Sequence, residues 1–194
     1  YFRDDDTMKK LTSAFLLLMT LAAPVSAVTI EGVDMPDQMK ADGSELVLNG
    51  AGVRSKWFID LYVGGLYVSH VGSDPKAIVA ADEPQAIRLH IISGMITSDK
   101  MTSATLEGFD ASTDGNTAPI QAEIDEFMGV FKDEIKEGDV FDLVYLPGEG
   151  VKVSKNGNAR DTISGIEFKK ALFGIWLSDE PAQEDLKAAM LGKD

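Results

Sequence analysis

The chain has 194 residues, 32 Asp and Glu against 18 Lys and Arg, two histidines and no cysteine, for a formal charge of −14. With arginine only at positions 3, 54, 88 and 160, it cannot neutralise a run of phosphates, so nucleic acid is excluded as a partner and an anionic membrane surface would repel it. The lack of thiols excludes disulfides, thiolate metal sites, thiol nucleophiles and a lipid-modified cysteine.

In chain order, residues 1–7 include Asp4, Asp5 and Asp6 ahead of Met8 and are assigned no role. Residues 8–27 have the pattern of a secretory leader. Lys9 and Lys10 are a basic start, Leu11 to Ala23 is apolar apart from Thr and Ser, and Pro24-Val25-Ser26-Ala27 offers small residues for cleavage. The apolar run is shorter than the ~20 residues that span a bilayer, so no integral membrane span is expected. Removing residues 1–27 removes three basic and three acidic residues, and the domain over 28–194 keeps the −14 charge. Size suffices for a core without disulfides. Together these features predict a bacterial periplasmic or secreted protein.

Within 28–194, Glu45 to Leu48 predicts a strand, Asn49-Gly50-Ala51-Gly52 a Gly-rich bend, and Trp57 to His70 a long second strand. Ile87 to Ile92 is a third. Ser98 is read as the cap of a helix with Met101, Thr105 and Gly108 on one face and Leu106 and Phe109 on another. Ile120, Ile124, Phe127, Met128, Phe131 and Ile135 keep helical spacing, with Pro119 at the start and Gly138 at the stop. Val140 to Leu146 and Gly150 to Ser154 flank Pro147-Gly148-Glu149 as a hairpin. Gly165 to Trp176 predicts another helix, and Ser178-Asp179-Glu180-Pro181 opens a last one closed by Gly192. Strands and helices do not alternate regularly, which predicts an α+β fold: a large antiparallel sheet with a layer of helices on one face.

Catalytic motifs are scarce. His70 and His90 sit on predicted strands and cannot build a His-rich metal site or a triad. Asp110 to Asn116 resembles the front of a calcium loop, but Gln121 stands where the bidentate Glu belongs, so it reads as a helix terminus and no metal is expected. Asn49 to Gly52 lacks the Lys-Ser/Thr of a phosphate loop, and no cofactor is expected. Arg54 follows the Gly-rich bend, and its rigid fork suits either an ordinary ion pair or a fixed cation for a carboxylate or phenolate ligand.

The segments Leu48-Asn-Gly-Ala-Gly-Val-Arg54 and Lys56-Trp-Phe-Ile-Asp-Leu-Tyr-Val-Gly-Gly-Leu-Tyr-Val68 resemble the signature of the chalcone isomerase superfamily. Ile166 to Leu177, Pro181 and Leu186 to Gly192 are similar to its closing helices, and the match is best with the exported bacterial chalcone isomerase-like branch. The resemblance implies an open-faced β-sandwich with a ligand cleft between sheet and helices. Enzymes of that superfamily cyclise a chalcone by adding a phenolate to an enone. The Arg steadies the phenolate, a Thr and a Tyr organise water near the carbonyl, and an Asn contacts the substrate. Other members bind fatty acids with the Arg facing the carboxylate. By that resemblance Arg54 is the family Arg, whereas Tyr62 stands at the Thr position, Met101 at the Tyr and Gly108 at the Asn.

These departures keep the cation and remove polar groups that would stabilise charge at a carbonyl. The leading expectation is therefore a non-catalytic protein that binds a fatty acid or similar amphipathic carboxylate, with Arg54, Tyr62, Met101, Thr105 and Gly108 around the ligand. One alternative is an intramolecular lyase or isomerase acting on a phenolic, chalcone-like substrate, with Tyr62 as the available phenol. Another is a closed-core structural or partner-binding protein that uses the acidic patch of Asp133, Glu134, Glu137 and Asp139.

Overall fold

Residues 27–193 are described by a computed structural model; the expected extension at 1–7 and all of the expected leader except Ala27 lie outside the described residues. Strands β1 (Ala27–Ile30) and β2 (Val33–Pro36) form a hairpin of their own. Then β3 (Gln38–Ala41), β4 (Ser44–Lys56), β5 (Ile59–Val68), β6 (Gln85–Ile91), β7 (Val140–Leu146), β8 (Gly150–Lys155) and β9 (Asn158–Ile163) make one sheet in chain order. Every neighbouring pair is antiparallel. Helix α1 (Pro75–Ala80) lies between β5 and β6, α2 (Ser98–Ser112) and α3 (Gln121–Met128) between β6 and β7, and α4 (Ile166–Leu177) and α5 (Glu184–Met190) follow β9. This is the expected α+β arrangement.

Side-chain alternation along β5 sorts the two faces. Leu66 and Val68 join Ile87, Leu89, Phe141 and Leu143 against the helices, in the main core. Val63 and Tyr67 point the other way, with Leu46 and Ala86, onto Met35 of the β1–β2 hairpin. The helical layer is tied to the sheet by aromatic edges: Phe109 of α2 meets Phe127 of α3 at 6.1 Å, Phe127 meets Phe131 at 5.4 Å, and Phe131 meets Phe141 of β7 at 5.7 Å.

The Gly-rich segment is not a turn. β4 continues through Asn49 to Gly52 with a register shift at Asn49, and the chain reverses instead at Trp57-Phe58, which have φ of 55° and 68°. The glycines are there because α5 lies directly on the strand. An ideal Cβ at Gly50 would stand 2.1 Å from the carbonyl oxygen of Ala189, and one at Gly52 would stand 2.6 Å from the Ala189 Cβ. Composition alone does not separate a bend from a strand stripped for close packing.

The helix expected over Ile120 to Ile135 is broken. A 3-10 turn (Ala118–Ile120) enters α3, and a second (Gly129–Phe131) leaves it. The tighter winding lets Val130, Phe131 and Phe127 all be buried. The Phe131 carbonyl is taken by the Ser98 hydroxyl rather than by another helical turn. Ser98 is accordingly not a cap: Thr97 caps α2, accepting from the Lys100 amide at 3.3 Å. Asp114 and Gly115, with φ of 52° and 78°, end α2 as a left-handed terminus. α5 begins at Glu184 rather than at Ser178 to Pro181.

The acidic patch is dispersed rather than presented as one surface. Asp133 pairs with Arg160 at 2.7 Å and Glu134 with Lys136 at 3.0 Å. Asp139 is buried 2.8 Å from Lys155. Desolvation works to raise the Asp139 carboxyl, but hydrogen bonds from Lys155, Asn156 and the Lys136 amide hold it below the usual range.

Lys169 of α4 is fully buried, and its ammonium donates to the carbonyls of Ile78, Val79 and Ala81 at 3.1, 2.9 and 2.8 Å. It thereby satisfies the C-terminal end of α1, with the Tyr145 and Phe173 rings 5.3 and 5.1 Å away. Burial pushes this amine down to about 8, against the raising pull of Asp82 and Glu83.

Two measurements check this account. Gly50→Ala is expected to destabilise the fold by about 1–3 kcal/mol, read as a lower denaturation midpoint with unchanged slope; wild-type stability would refute the close packing of α5. For Lys169, the unfolded chain binds more protons than the folded one from about pH 8 to the ordinary value near 10.5, so this group makes stability rise with pH across that window. Stability curves of Lys169→Met between those limits should lose that rise.

Candidate functional site

Asn49 is an extra residue in β4. Leu48 pairs with Tyr67 and Gly50 with Leu66, so Asn49 is left unpaired between them. The bulge reverses side-chain parity along the strand. Leu46 and Leu48 pack on the β1–β2 side, whereas Gly50 and Gly52 face α5 and Arg54 turns into the space beneath the helices. The Asn49 amide fixes the bulge by donating to the Met190 carbonyl at 2.8 Å and accepting from the Gly72 amide at 2.7 Å. A second irregularity follows: Arg54 pairs with Tyr62 and Ser55 with Asp60, so Leu61 is unpaired. Leu61 and Tyr62, consecutive in sequence, therefore both border the same cavity.

That cavity has a volume of about 650 Å³ and lies between the sheet and the helices α2, α3 and α4. Hydrocarbon dominates its wall, with Leu89, Phe127, Phe131, Phe141, Leu143 and Ile175 prominent. Arg54, Tyr62, Met101, Thr105 and Gly108 all line it, so the structure brings the five expected site residues together. Met101, Thr105 and Gly108 are spaced four and three residues apart on α2 and share its inner face. Met101 and Thr105 are buried. Gly108 is set against α4, where an added Cβ would meet Ile175 Cγ2 at 2.7 Å. A cavity of this volume does not agree with the closed-core alternative.

Charged side chains also border the cavity, Lys56 and Lys100 with Asp99, Glu107 and Glu180, and a set of polar contacts is organised around Arg54. Its Nη1 donates to the Ser55 carbonyl at 2.6 Å and to Gln183 Oε1 at 3.0 Å. Gln183 Oε1 also accepts from the Ser55 amide at 2.9 Å. Among the described residues no carboxylate pairs with Arg54. Arg88, by contrast, makes a fork to Asp142 at 2.6 and 3.0 Å, and Arg160 pairs with Asp133. Opposite Arg54, the Tyr62 phenol accepts from Trp176 Nε1 at 3.0 Å. Burial pushes that phenol above its usual range in spite of the Trp176 hydrogen bond and the Arg54 charge. Tyr62 thus stays protonated and keeps its own hydrogen to donate.

Sequence reasoning missed Gln183 and Trp176. Gln183 was hidden because the last helix starts later than Ser178 to Pro181 suggest, which makes this residue the junction rather than the helix interior. Trp176 follows Ile175 on α4 and reads as core spacing; its indole nitrogen gave the only signal, since a buried Trp N–H needs an acceptor. Neither histidine borders the cavity.

A family profile described as chalcone isomerase-like matches residues 27–192. Comparison with curated proteins gave no match. Among solved structures, the chain is similar to a fatty-acid binding protein of Arabidopsis thaliana, with a TM-score of 0.69 and 18% identity, over 86% of this chain and 96% of that one. At that identity the likeness establishes the fold.

Proposed function

This chain belongs to the chalcone isomerase-like family, and we propose that it is a non-catalytic member that holds a fatty acid or a similar amphipathic carboxylate in the cavity beneath α2. The observation that carries the reading is the Arg54 guanidinium: it borders an apolar cavity and is held only by neutral acceptors among the described residues. A partly buried cation without a counter-ion is costly, and a ligand carboxylate would supply the missing charge. A carboxylate can accept from the remaining N–H groups of Arg54 and from the Tyr62 hydroxyl together, as charge-assisted bonds. The acyl chain would then lie against the aromatic and aliphatic wall. A cavity of about 650 Å³ falls within the ordinary range for small-molecule sites. The Arabidopsis relative in fold is a fatty-acid binding protein, which supports the same ligand class.

A catalytic reading needs a donor aimed at a carbonyl whose charge grows in the transition state. Met101 offers a thioether, and Gly108 offers no side chain and abuts Ile175. The soft thioether suits a binding wall better than an oxyanion site. Export with cleavage near Ala27 belongs to the same proposal and is supported by the basic start, apolar run and small residues of 8–27. N-terminal sequencing of the protein recovered from its own cell envelope checks that part.

Binding is checked by native mass spectrometry and by titration with palmitate. Arg54→Ala should weaken palmitate binding by about ten- to a hundredfold, the equivalent of losing hydrogen bonds to a charged group. Gln183→Glu gives the fork a carboxylate partner without truncating it, and should reduce palmitate affinity in the same direction while the protein stays folded. A long-chain alcohol should be affected less by either change. Wild-type palmitate affinity in both variants would reject Arg54 as the anchor.

A further inference from the structure

Among the described residues, four two-residue hairpin turns have both central residues at positive φ. Three use glycine second: Glu31-Gly32, Asp42-Gly43 and Asn156-Gly157. The fourth is Trp57-Phe58, at φ 55° and 68°. A left-handed conformation is unfavourable for bulky side chains and persists where something else is gained. Nothing within the fold is gained, because Trp57 is 81% and Phe58 105% exposed. The turn instead projects two adjacent aromatic rings into solvent at the end of β4 and β5.

Its location gives the strain a purpose. Trp57 and Ile59 line the cavity and are exposed, as is Met95 from the loop before α2, so these three residues mark the cavity mouth. Charge there differs from the rest of the molecule. The charged residues bordering the cavity are Arg54, Lys56 and Lys100 against Asp99, Glu107 and Glu180, a balanced set in a chain of −14. Lys56 directly precedes the aromatic turn, and Lys100 donates to the Met95 carbonyl at 3.0 Å. Paired exposed aromatics directly preceded by one lysine and followed by Ile59 and Asp60, with a second lysine at the cavity rim, are close to the composition of a membrane-interface anchor.

We propose that the Trp57-Phe58 turn docks the cavity mouth onto the surface of a zwitterionic lipid bilayer, with the two rings at the headgroup boundary and Lys56 and Lys100 against phosphates. A fatty acid dissolves poorly in water and resides in bilayers, so docking places the mouth where the cargo is. The cargo rests on the reading of the cavity given above, whereas the docking surface stands on the turn itself. The overall −14 charge sets the lipid preference: neutral surfaces are accepted and strongly anionic ones are repelled.

The test uses the two tryptophans as reporters, since Trp57 is exposed and Trp176 is buried, with only 6% of its surface exposed. Unilamellar phosphatidylcholine vesicles with brominated acyl chains should quench fluorescence in the wild type but not in Trp57→Phe. Phe58→Gly installs the residue that the other three turns use at their second position, so it relieves the strain there and keeps the Trp57 reporter. It should raise Tm while weakening vesicle partitioning by roughly tenfold or more, the loss expected for one aromatic ring at an interface. Vesicles with equimolar phosphatidylglycerol should bind less. Absence of quenching, equal partitioning in Phe58→Gly, or Trp57 shielded in a dimer without vesicles would each overturn the proposal. Loss of palmitate binding in Arg54→Ala with quenching retained supports docking independently of the cargo. Quenching by a protein that binds no palmitate at all would reject the cavity reading and leave docking standing.

Discussion

One inserted residue, Asn49, decides which way Arg54 faces. Strand periodicity is two, so without the bulge Leu46, Leu48 and Arg54 would share a face, and the guanidinium would lie on the β1–β2 side. With it, the hydrophobic residues of the first half of β4 cover one core and the second half is free for α5 and the cavity. The same side chain holds the bulge and grips the end of α5 through the Met190 carbonyl. Gly50 then admits that helix to the strand surface. The position of Gln183, at the start of α5, follows from this contact, and with it the second acceptor on Arg54. A site that looks like a local constellation is therefore fixed by register.

Stability and site pull in different directions around the cavity. The main core is joined by aromatic edges from α2, α3 and β7, and charged groups buried away from the cavity are answered, Lys169 by three carbonyls and Asp139 by Lys155, although the Tyr67 hydroxyl and the Gln85 side-chain oxygen have no partner among the described residues. Close to the cavity the rules relax. A guanidinium has neutral partners, a phenol has an unused hydrogen, and a tight turn carries two aromatic rings where glycine would fit.

Much of the fold was legible because it depended on local periodicity. The strands at 87–92, 140–146 and 150–154 and the helix at 165–176 agree with the observed elements within a residue or two. β1, β2, β3, α1 and β9 were not anticipated. For β9 and β3 the sequence did carry the signal, since Asn156-Gly157 and Asp42-Gly43 are favoured hairpin turns. For the helix after Pro119 it did not: the spacing of Ile120 through Ile135 is the same whether the chain continues as a helix or tightens at Gly129, and the Ser98 hydroxyl that ends it comes from another element.

At the site, the sequence by itself determined the chemistry available: one arginine beside a glycine pair, a phenol two residues before Gly64, and an α2 face of Met101, Thr105 and Gly108. Tertiary structure decided everything that depends on distance in space. It placed those five residues around one cavity, showed that Gly50 and Gly52 serve a helix rather than a bend, and brought Trp176 and Gln183 to the polar groups. The reason is physical. Composition and spacing specify a residue's local conformation and polarity, whereas the direction in which a strand residue points depends on bulges. Whether a cation keeps an ionic partner depends on which distant elements pack beside it.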